Sequence, residues 1–442
     1  MRGLGLDAYV VGGAVRDELL GKESKDADFV VPGVDYDGLR RALQPYGRVE
    51  DLEVAGRRVG ARLYPREPVV RAAAPAGIEF APPRAERSTG PGRHDFEIVA
   101  DPSLSIDDDM ARRDFTVNAI ARRLETGELV DPFHGRDDLQ ARVLRTVGPR
   151  SFAEDPLRIV RGLRLVSQLG LTPDDATLEQ MRDEAETVRL VSGERVGGGL
   201  HGDGLGELSK LLLGAEPARA LRLARDTGVL TALLPELART IGFVQKSERQ
   251  HLTLDEHIFA VVQAAADAGE NLAVRLGALL HDAGKSAANG RHAERGAQLA
   301  AEALERLRYP TRLRTHVVRL VRAHSFPLEE VDERFARRFL REHGDELAFD
   351  LVAHKEADLH GKRVSPEELD AVARLRTLLE QQRSQPHRLE DLAVDGSDLL
   401  ELGYSEGPAL GRTLDSLLDA VVEHPELNTR AALLERARAG LS

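Results

Sequence analysis

Apolar residues recur at three- and four-residue spacing through most of the chain after about residue 150. This spacing puts them on one face of a helix and therefore predicts helices. Strand signals nearly vanish over the same region. The clearest helical patterns cover residues 157–169, 218–234, 258–268, 272–280 and 312–323. We therefore predict a long all-helical body.

The first 150 residues show a mixed pattern instead. Short runs of β-branched and aromatic residues alternate with one helical segment. Residues 82–94 carry Pro, Gly, Ser and Arg with little periodicity, and we expect them to form a mobile loop. An α/β head thus precedes the helical body. Its predicted elements are strands at residues 8–11, 29–31, 58–64 and 128–131 and a helix at residues 14–20.

Composition narrows the classes of protein that the chain can be. Of its 442 residues, 42% are hydrophobic and 31% are charged, which supports substantial cores and excludes a disordered chain. Cysteine is absent, so disulfide scaffolds, thiol catalysis, iron–sulfur clusters and thiolate zinc fingers are excluded. Any metal must therefore be held by His, Asp or Glu.

Charge and hydropathy limit which partners and which cellular location are expected for the protein. The net charge of −13 argues against a non-specific nucleic-acid coat protein, but an enzyme with a local basic surface remains compatible with it. No apolar run approaches the roughly 18 residues of a membrane span. The first residues lack the apolar segment of a signal peptide. We expect a soluble cytoplasmic protein without membrane contact.

A glycine pair and a carboxylate pair form the first candidate site. Gly12 and Gly13 follow a predicted strand and open a predicted helix, where the backbone can approach a phosphate closely. Arg16, one turn into that helix, can add a charge-assisted bond to a triphosphate. Asp26 and Asp28 lie two apart beside a strand, so both carboxylates face one way and favour Mg²⁺ between them. The alternatives are an ordinary turn and a solvated acidic turn.

Two later segments combine arginines with carboxylates. Residues 112–119 contain Arg113 and Asp114 beside an apolar stretch. Asp155 lies near a predicted helix N-terminus, where negative charge is favourable, and Arg158 follows three residues later on the same face. A fixed acceptor and a fixed donor on one face can read the edge of a base. The alternative is an N-cap with an ordinary surface ion pair.

Six motifs, in this order and wording, resemble those of the bacterial tRNA nucleotidyltransferases. They are GGAVRD, DAD, RRDFTVNAIA, DPFHG, EDPLRIVRGLR and ERV. This family comprises the CCA-adding enzymes and their poly(A) polymerase relatives, class II of the polymerase-β-like superfamily. The resemblance implies that Asp26 and Asp28 bind catalytic Mg²⁺. The nucleotide-binding residues that it implies are Gly12, Gly13, Arg16, Arg113, Asp114, Asp155, Arg158, Arg161 and Arg164.

The same resemblance implies how these residues divide the work. Asp155 and Arg158 would form a protein template that pairs with CTP or ATP, while Asp114 would lie near the ribose. Residues 82–94 stand where the family has a flexible loop that helps the switch from C to A addition. One departure concerns the ERV motif, which continues directly as a helix in the family. Here it runs into six glycines within residues 197–206, and we expect a flexible turn or insertion there.

A second candidate site combines histidines with carboxylates. His281 and Asp282 follow an apolar helix and can ligate one ion together. An upstream His257 and a downstream Asp358 can complete a divalent metal site that leaves room for water and phosphate. The metal would acidify a bound water for phosphoester hydrolysis. His292 and His324 are candidates for a second ion or for the substrate phosphate. The alternative is that these histidines are ordinary core or surface residues.

The HDAGK wording resembles the HD phosphohydrolases, and an HD domain at this position resembles one branch of bacterial tRNA nucleotidyltransferases. There it is linked to phosphatase and 2′,3′-cyclic phosphodiesterase activity on nucleotides. The whole resemblance implies an α+β fold, in which a polymerase-β-like head with a small mixed sheet precedes all-α neck, HD and tail domains. The expected divisions are residues 1–150, 151–240, 241–375 and 376–442.

Six arginines lie in a stretch without an acidic residue. They can bind tRNA phosphates or form a solvated helix face, and the sequence leaves both interpretations open. RNA in this family is recognised by shape and by its single-stranded 3′ end, so a base-reading motif is not expected. The six are Arg306, Arg308, Arg312, Arg314, Arg319 and Arg322.

The sequence thus predicts a template-independent nucleotidyltransferase. It would add C and A to the tRNA 3′ end from CTP and ATP, with Mg²⁺ in the head and a divalent metal of unknown identity in the HD domain. The alternatives are a poly(A) polymerase, a partial CC- or A-adding enzyme, and a protein that is mainly a phosphohydrolase with an RNA-binding head. The oligomeric state stays open.

Overall fold

The computed structural model describes residues 5–22, 28–54, 57–88, 96–198, 204–245, 249, 251–286 and 292–440. The chain divides into two compact units. The first comprises Met1–Ala238 with Arg306–Tyr309, and the second comprises Arg239–Glu305 with Pro310–Ser442. The finer division into four domains stays a prediction.

A mixed seven-stranded sheet forms the core of the first unit, which confirms the predicted α+β head. Its strand order is β3-β4-β5-β2-β1-β8-β9, with β2 and β5 parallel and the other neighbours antiparallel. Buried apolar side chains such as Phe29 and Phe80 stack on one face of it. The strands of this sheet are β1 (Tyr9–Val11), β2 (Asp28–Val30), β3 (Gly47–Val54), β4 (Arg57–Pro65), β5 (Ile78–Ala81), β8 (Ala121–Arg123) and β9 (Leu129–Val130).

Two smaller sheets complete the strands. β6 (Arg84–Ser88) and β7 (Phe96–Ala100) form an antiparallel pair, and β10 (Val143–Leu144) and β11 (Thr172–Pro173) form a parallel pair. The prediction of a loop over residues 82–94 is therefore wrong for β6. The sequence of β6 is polar and shows no strand periodicity. It is a strand because its backbone pairs with β7, and local periodicity does not predict that partner. Residues 89–94 lie outside the described residues.

Helices surround the sheet and continue beyond it. The predicted helix at 157–169 is confirmed with the same bounds, between Pro156 and a left-handed Gly170 that ends it. The predicted helix at 218–234 is instead two helices, because Gly228 adopts φ +80°. The helices of this region are α1 (Gly13–Leu19), α2 (Tyr36–Leu43), α3 (Pro68–Ala73), α4 (Ile106–Ala111), α5 (Gly135–Ala141), α6 (Ser151–Glu154), α7 (Leu157–Leu169), α8 (Asp175–Asp183), α9 (Glu207–Leu212), α10 (Pro217–Asp226) and α11 (Val229–Leu233).

The glycine-rich segment after the ERV motif is not the expected flexible turn where the structure describes it. Gly197 and Gly198 belong to a π-helical turn, Glu194–Gly198, and Gly206 is the N-cap of α9. Residues 199–203 lie outside the described residues.

The second unit is helical, as the apolar spacing predicts. The helix α13 is apolar except for Arg275, whose Nε donates to the Glu270 carbonyl at 2.8 Å, and every residue from Ala273 to Leu280 is buried. The remaining helices pack against it or against each other. They are α12 (Leu254–Asp267), α13 (Leu272–Leu280), α14 (His292–Arg306), α15 (Thr311–Ala323), α16 (Glu333–His343), α17 (Asp345–His360), α18 (Pro366–Gln382), α19 (Gly396–Glu401), α20 (Pro408–Glu423) and α21 (Arg430–Ala439).

Within the described residues, no helix combines the length and the apolar character needed to cross a membrane.

One carboxylate joins α17 to the segment that follows α18. Asp345 accepts hydrogen bonds from His387 Nε2 at 2.7 Å, from Arg383 Nε at 3.1 Å and from Arg388. Burial opposes its charge, but the bonds from His387 and Arg383 hold its pKa below the ordinary value. Asp345 therefore contributes stability above the ordinary carboxylate pKa, and this contribution is lost as the pH falls through the lowered pKa.

Replacing Asp345 by alanine is expected to lower the free energy of unfolding by about 1 kcal/mol, because the partly buried bond from His387 and the two solvent-exposed bonds from Arg383 and Arg388 are lost. Chemical denaturation at pH 7 and at pH 3 would measure it, with a smaller difference from wild type at pH 3. Asp370→Ala, at an exposed site of α18, is the matched control. Equal effects of the two variants at pH 7 would contradict the role of Asp345.

Candidate functional site

The turn between β1 and α1 has the geometry of an anion cradle. Gly12 adopts φ +72°, and its N–H donates to the Ile120 carbonyl at 3.2 Å. A Cβ on Gly12 would lie 2.5 Å from Arg113 Nη1, so only glycine lets this guanidinium lie over the turn. Gly13 then opens α1, and the guanidinium of Arg16 lies close to it.

Asp28 is an exposed residue at the start of β2. It is paired across the sheet with Val11, the last residue of β1, so it lies beside the Gly12 turn. Asp26 lies outside the described residues. The expected convergence of the two carboxylates therefore stays a prediction, supported by the position of Asp28.

Asn118 connects the arginines around this turn. Its Oδ1 accepts from Arg16 Nη1 at 2.6 Å, and its Nδ2 donates to Asp114 Oδ1 at 3.0 Å. Its backbone carbonyl also accepts from Arg113 Nη1 at 3.4 Å. The sequence interpretation did not single out Asn118, although it lies inside the quoted RRDFTVNAIA motif.

Asp114 is buried and multiply held. Its Oδ1 accepts from the Phe115 N–H at 2.9 Å, and its Oδ2 lies 3.1 Å from Arg161 Nε. Burial raises its pKa, but the positive charge of Arg161 and the bond from Asn118 outweigh burial and leave the pKa below its ordinary value. Asp114 is therefore ionised at pH 7 and orients the surrounding donors.

A second buried carboxylate, that of Asp109, holds Arg113. Asp109 was not among the predicted site residues. Asp109 accepts from Arg112 Nε at 2.8 Å and from Arg113 Nη2 at 3.2 Å. Arg113 Nε is buried and has no hydrogen-bond partner within the described part of the chain. Burial lowers the pKa of Arg113, which stays charged because Asp109 is close. A cation held in this way is suited to an anionic ligand.

Asp155 and Arg158 contact different partners. Asp155 precedes Pro156 with an extended backbone, and its carboxylate lies against Arg195 at 2.8 and 3.3 Å. Arg158 is buried, and its guanidinium donates to the Arg112 carbonyl at 2.7 Å and to Ser151 Oγ at 3.2 Å. Each side chain is thus oriented by its own partner rather than by the other.

Arg161 and Arg164 face Glu207 of α9. Arg164 Nε lies 3.2 Å from Glu207 Oε2, and burial lowers the pKa of Arg164. Together with Arg16 and Arg113, these side chains line one region of the first unit around Asp114. Each of these four guanidinium groups also contacts a carboxylate, and the four carboxylates are those of Asp17, Asp109, Asp114 and Glu207. Guanidinium groups are the side chains best suited to a ligand with several negative charges, such as a triphosphate.

Four predicted metal ligands converge in the second unit. His257, His281, Asp282 and Asp358 are all buried. The His257 Nε2 atom lies 3.5 Å from Asp282 Oδ2 and 3.1 Å from Asp358 Oδ1. The His281 Nε2 atom lies 3.2 Å from Asp282 Oδ2 and 3.7 Å from Asp358 Oδ1. Atoms about 2.0–2.2 Å from one tetrahedral ion are separated by roughly 3.4 Å, so these residues fit a divalent metal.

The backbone orients each histidine towards this cluster. The Nδ1 atoms of His257, His281 and His324 lie 2.7–3.1 Å from the carbonyls of Gly361, Ala278 and Val321. A carbonyl accepts, so each Nδ1 carries a proton and each Nε2 is directed into the cluster. Within the described residues, the Nε2 atoms of His257 and His281 lie 3.1 and 3.2 Å from carboxylate oxygens but form no hydrogen bond with them. A ligand shared by the nitrogens and the carboxylates would satisfy all of these buried polar atoms.

His354 belongs to the same cluster, and the sequence analysis missed it. It is buried on α17, one turn before Asp358, and its ring lies 5.0 Å from that of His281 and 5.7 Å from that of His324. Neither ring nitrogen has a partner among the described residues. The four-residue spacing from Asp358 was the available sequence signal, because it places both on one face of a helix.

A second group of potential ligands shares Asp282. Ligand atoms of Asp282, His292 and His324 all lie within 4.8 Å of one another. Burial lowers the pKa of His324 to about 4, so this imidazole is neutral at pH 7 and can offer a lone pair. Asp282 itself has a pKa well below the ordinary value, because the charges of His281 and Lys285 outweigh its burial.

A cavity of about 300 Å³ opens beside this cluster. Its wall contains three carboxylates, three cations and one aromatic ring; the carboxylates are those of Asp358, Glu329 and Glu368. Glu368 is paired with Arg249, and Asp358 is paired with Lys362. Lys355 Nζ donates to the Phe326 carbonyl at 3.2 Å and lies 5.1 Å from the Phe326 ring centroid. The cationic residues of the wall are Arg249, Lys355 and Lys362.

The arginine-rich stretch is largely paired with acids or carbonyls. Arg312 lies 3.1 Å from Glu346, and Arg314 lies 3.2 Å from Glu305. Arg319 donates to the His343 carbonyl at 3.1 Å. These contacts favour the solvated helix face over an open phosphate-binding surface.

Three family models match the chain. A "Poly A polymerase head domain" matches residues 8–145. A "Probable RNA and SrmB-binding site of polymerase A" matches residues 170–241. A model described as tRNA nucleotidyltransferase domain 2 matches residues 295–437.

The relatives and the solved structure that resemble this chain are all named as CCA proteins or CCA-adding enzymes. A multifunctional CCA protein of Azoarcus sp. (strain BH72) is 39% identical over 72% of this chain and 73% of its own length. A multifunctional CCA protein of Xanthomonas euvesicatoria pv. vesicatoria is 34% identical over 92% and 95%, respectively. The Bacillus stearothermophilus CCA-adding enzyme, solved in complex with CTP, superposes with a TM-score of 0.67 at 25% identity, over 99% of this chain and 95% of the other.

Proposed function

This chain belongs to the multifunctional CCA protein family of tRNA nucleotidyltransferases, and we propose that it adds C and A to the 3′ end of tRNA. Its substrates are then CTP and ATP, and pyrophosphate is released. The observation that carries the proposal is the set of oriented, partly buried guanidinium groups around Asp114 and the Gly12 turn, with Asp28 beside that turn. Such a substrate also implies a cytoplasmic location.

Different residues of the first unit contact different parts of the nucleotide in this proposal. Gly12, Gly13, Arg16 and Arg113 hold the triphosphate, and Asp114 lies near the ribose. Arg161 and Arg164 support the triphosphate side. Asp155 and Arg158 hydrogen-bond the base. Their separate anchors support this assignment, because each side chain is held before the nucleotide arrives and pays little ordering cost on binding.

Asp26 and Asp28 are the residues that would hold Mg²⁺. Carboxylate oxygens are the ligands that this ion prefers, and the register of Asp28 beside the cradle fits that role. When bound, the ion lowers the pKa of the attacking 3′ hydroxyl and stabilises charge on the phosphates. The arginines neutralise the remaining phosphate charge and keep the leaving pyrophosphate in place.

Labelled CTP and ATP incorporation into tRNA truncated at successive 3′ positions tests this function. A full CCA enzyme extends tRNA that lacks the whole end by three nucleotides and CC-ended tRNA by one. A poly(A) polymerase would add a longer A tract, and a partial enzyme would stop early. Absence of any Mg²⁺-dependent incorporation would refute the proposal.

A second activity is favoured by the buried cluster of the second unit. We propose that His257, His281, Asp282 and Asp358 hold a divalent metal for phosphoester hydrolysis. The convergence of two buried Nε2 atoms with two carboxylates supports metal binding. The adjoining cavity offers an aromatic ring for a base and three cations for a phosphate, although Arg249 and Lys362 are paired with carboxylates there. When bound, the metal acidifies a water that becomes the nucleophile.

We further propose that this centre holds two ions, with Asp282 between them. Its Oδ2 faces His257 and His281, while its Oδ1 faces His324 at 3.9 Å. One carboxylate with an oxygen towards each ligand group suits a pair of metals about 3.5–4 Å apart. His292 and His324 complete the second group. His354 lies against the rings of both groups and can donate to a ligand held there.

Counting metals tests the two-ion centre without an activity assay. In an Asp28→Ala background, which removes the proposed head site, the full chain loaded with Mn²⁺ and desalted is expected to hold two ions. Its electron paramagnetic resonance spectrum should show exchange coupling. His292→Ala should reduce the count to one and leave an isolated Mn²⁺ signal, whereas His424→Ala, at an exposed histidine, should change neither.

The outcomes separate the two claims. One ion per chain, unaffected by His292→Ala, would refute the pair and leave the single-metal centre standing. Two ions without exchange coupling would also refute the pair, because the sites would not be adjacent. No bound ion would refute both claims.

A further inference from the structure

A short segment between α14 and α15 belongs to the first unit, although both helices lie mainly in the second. This support segment is Arg306–Tyr309. It is anchored at its start, where Arg306 Nη2 lies 2.8 Å from Glu236 Oε2 and Arg306 Nη1 donates to the Leu233 carbonyl at 3.2 Å. Arg308 adopts φ +59°, a left-handed conformation that is strained for a non-glycine residue and persists only where its surroundings impose it.

The π-helical turn Glu194–Gly198 closes around this segment. The Gly198 N–H donates to the Leu307 carbonyl at 3.2 Å. A Cβ on Gly198 would lie 2.2 Å from the Arg308 carbonyl oxygen, and one on Gly197 would lie 2.6 Å from that of Leu307. The glycines therefore permit a backbone-to-backbone approach that no other residue allows.

A buried hydroxyl pair fixes the other end. Tyr309 is only 5% exposed, and its hydroxyl lies 3.0 Å from Ser209 Oγ. Ser209 Oγ also lies 3.0 Å from the Gly197 carbonyl. Tyr309, Ser209 and the π-helical turn are thus joined in the interior of the first unit, where such bonds are costly to break.

The same turn carries Arg195, which holds Asp155. The two side chains form a double contact at 2.8 and 3.3 Å. A π-helical turn is rare and poorly stable by itself, so its geometry depends on what braces it. Asp155 Oδ1 also accepts from the Leu157 N–H at 3.1 Å, so the start of α7 holds one oxygen and Arg195 holds both. A displaced turn would move Arg195, and the carboxylate of Asp155 would keep only the bond from Leu157.

We propose that the support segment Arg306–Tyr309 positions Asp155 through the Glu194–Gly198 turn and Arg195, and so sets the accuracy of nucleotide selection. Its residues are positioning residues and touch neither substrate nor reacting atoms. The inference rests on the proposed role of Asp155 in reading the base. The positioning role also explains why glycines follow the ERV motif in this chain, because only glycine fits where the turn contacts the support segment.

The test measures discrimination between CTP and UTP in the first addition, as the ratio of their kcat/KM values. Gly198→Ala and Tyr309→Ala are expected to lower this ratio about tenfold, chiefly by raising KM for CTP, because small misplacements of a recognition group are costly. Tyr309→Phe, which keeps the ring, should lower it about threefold. Gly411→Ala, on α20 with open space around its Cβ, is the matched control and should change nothing.

Asp155→Ala separates failure of the inference from failure of the proposed function. If Asp155→Ala leaves discrimination unchanged, the template role itself is wrong. If it abolishes discrimination while Gly198→Ala, Tyr309→Ala and Tyr309→Phe all retain it, only the positioning role is wrong. Adding Gly198→Ala to Asp155→Ala should cause no further loss of discrimination, since both act through one group. A further tenfold loss would overturn the inference.

Discussion

Replacing Asp28 by alanine is expected to lower kcat for CTP and ATP incorporation by at least about 10³-fold, while leaving nucleotide binding largely intact. Asp28 lies beside the end of β1, whereas the arginines proposed to hold the triphosphate belong to α1, to the segment after α4 and to α7. The variant therefore removes a carboxylate needed for the transferring phosphate but none of the groups that hold the nucleotide. Asp26→Ala is expected to behave in the same way.

Rapid-quench incorporation measures the rate, and equilibrium titration with CTP measures binding. Asp137→Ala removes a carboxylate that is 82% exposed in the same unit and is expected to leave both unchanged. Normal incorporation by Asp28→Ala would refute the carboxylate assignment. A loss of binding as large as the loss of rate would place Asp28 in nucleotide binding instead.

Local sequence patterns predicted the helices well where the stop signals were also local. The helix α7 lies between Pro156 and Gly170, and its bounds follow from these two residues and the apolar spacing. The helix α13 was also predicted with its observed bounds, because apolar residues lie on every side of it. The break at Gly228 was missed because the apolar spacing continues through it. Only the left-handed backbone shows that two helices meet there.

Contacts between distant parts of the chain explain most of what the sequence did not reveal. The strand β6 is polar and depends on β7 for its backbone pairing. Spacing suggested that Asp155 and Arg158 share a helix face, but Asp155 precedes the helix and is oriented by Arg195, forty residues away. Burial of His354 becomes visible only when the neighbouring helices are assembled around α17.

The histidine–aspartate cluster was easier to predict from the sequence than the site in the first unit, because two of its metal-ligating residue types are adjacent in the chain. His281 and Asp282 end a buried helix, so the pair is carried into the interior, where ligands from other helices meet it. His257 and Asp358 were chosen by type and order along the chain, and the structure places both within 3.5 Å of a partner in the pair or of each other. A catalytic role for the cluster stays a proposal.

Asp282→Asn is expected to lower hydrolysis of 2′,3′-cyclic nucleotides and nucleoside monophosphates by about 10³-fold, with CTP incorporation within about twofold of wild type. Asparagine keeps the size of the side chain, so the buried cluster retains its packing, but it cannot offer a charged oxygen to each ligand group. Addition is preserved because every residue assigned to it lies in the first unit. Product release measured by chromatography for hydrolysis, and labelled incorporation for addition, would follow the two activities in parallel.

Asp370→Asn, at an exposed site of the same unit, is the matched control and should hydrolyse both substrates at the wild-type rate. Unchanged hydrolysis by Asp282→Asn would locate the activity elsewhere in the chain. Parallel loss of hydrolysis and addition would show that the two sites share a requirement for Asp282. The separation of the two activities would follow from their proposed ligands, since guanidinium groups surround Asp114 in the first unit, where a triphosphate is proposed to bind, while imidazoles and buried carboxylates meet in the second, where a metal is proposed to bind.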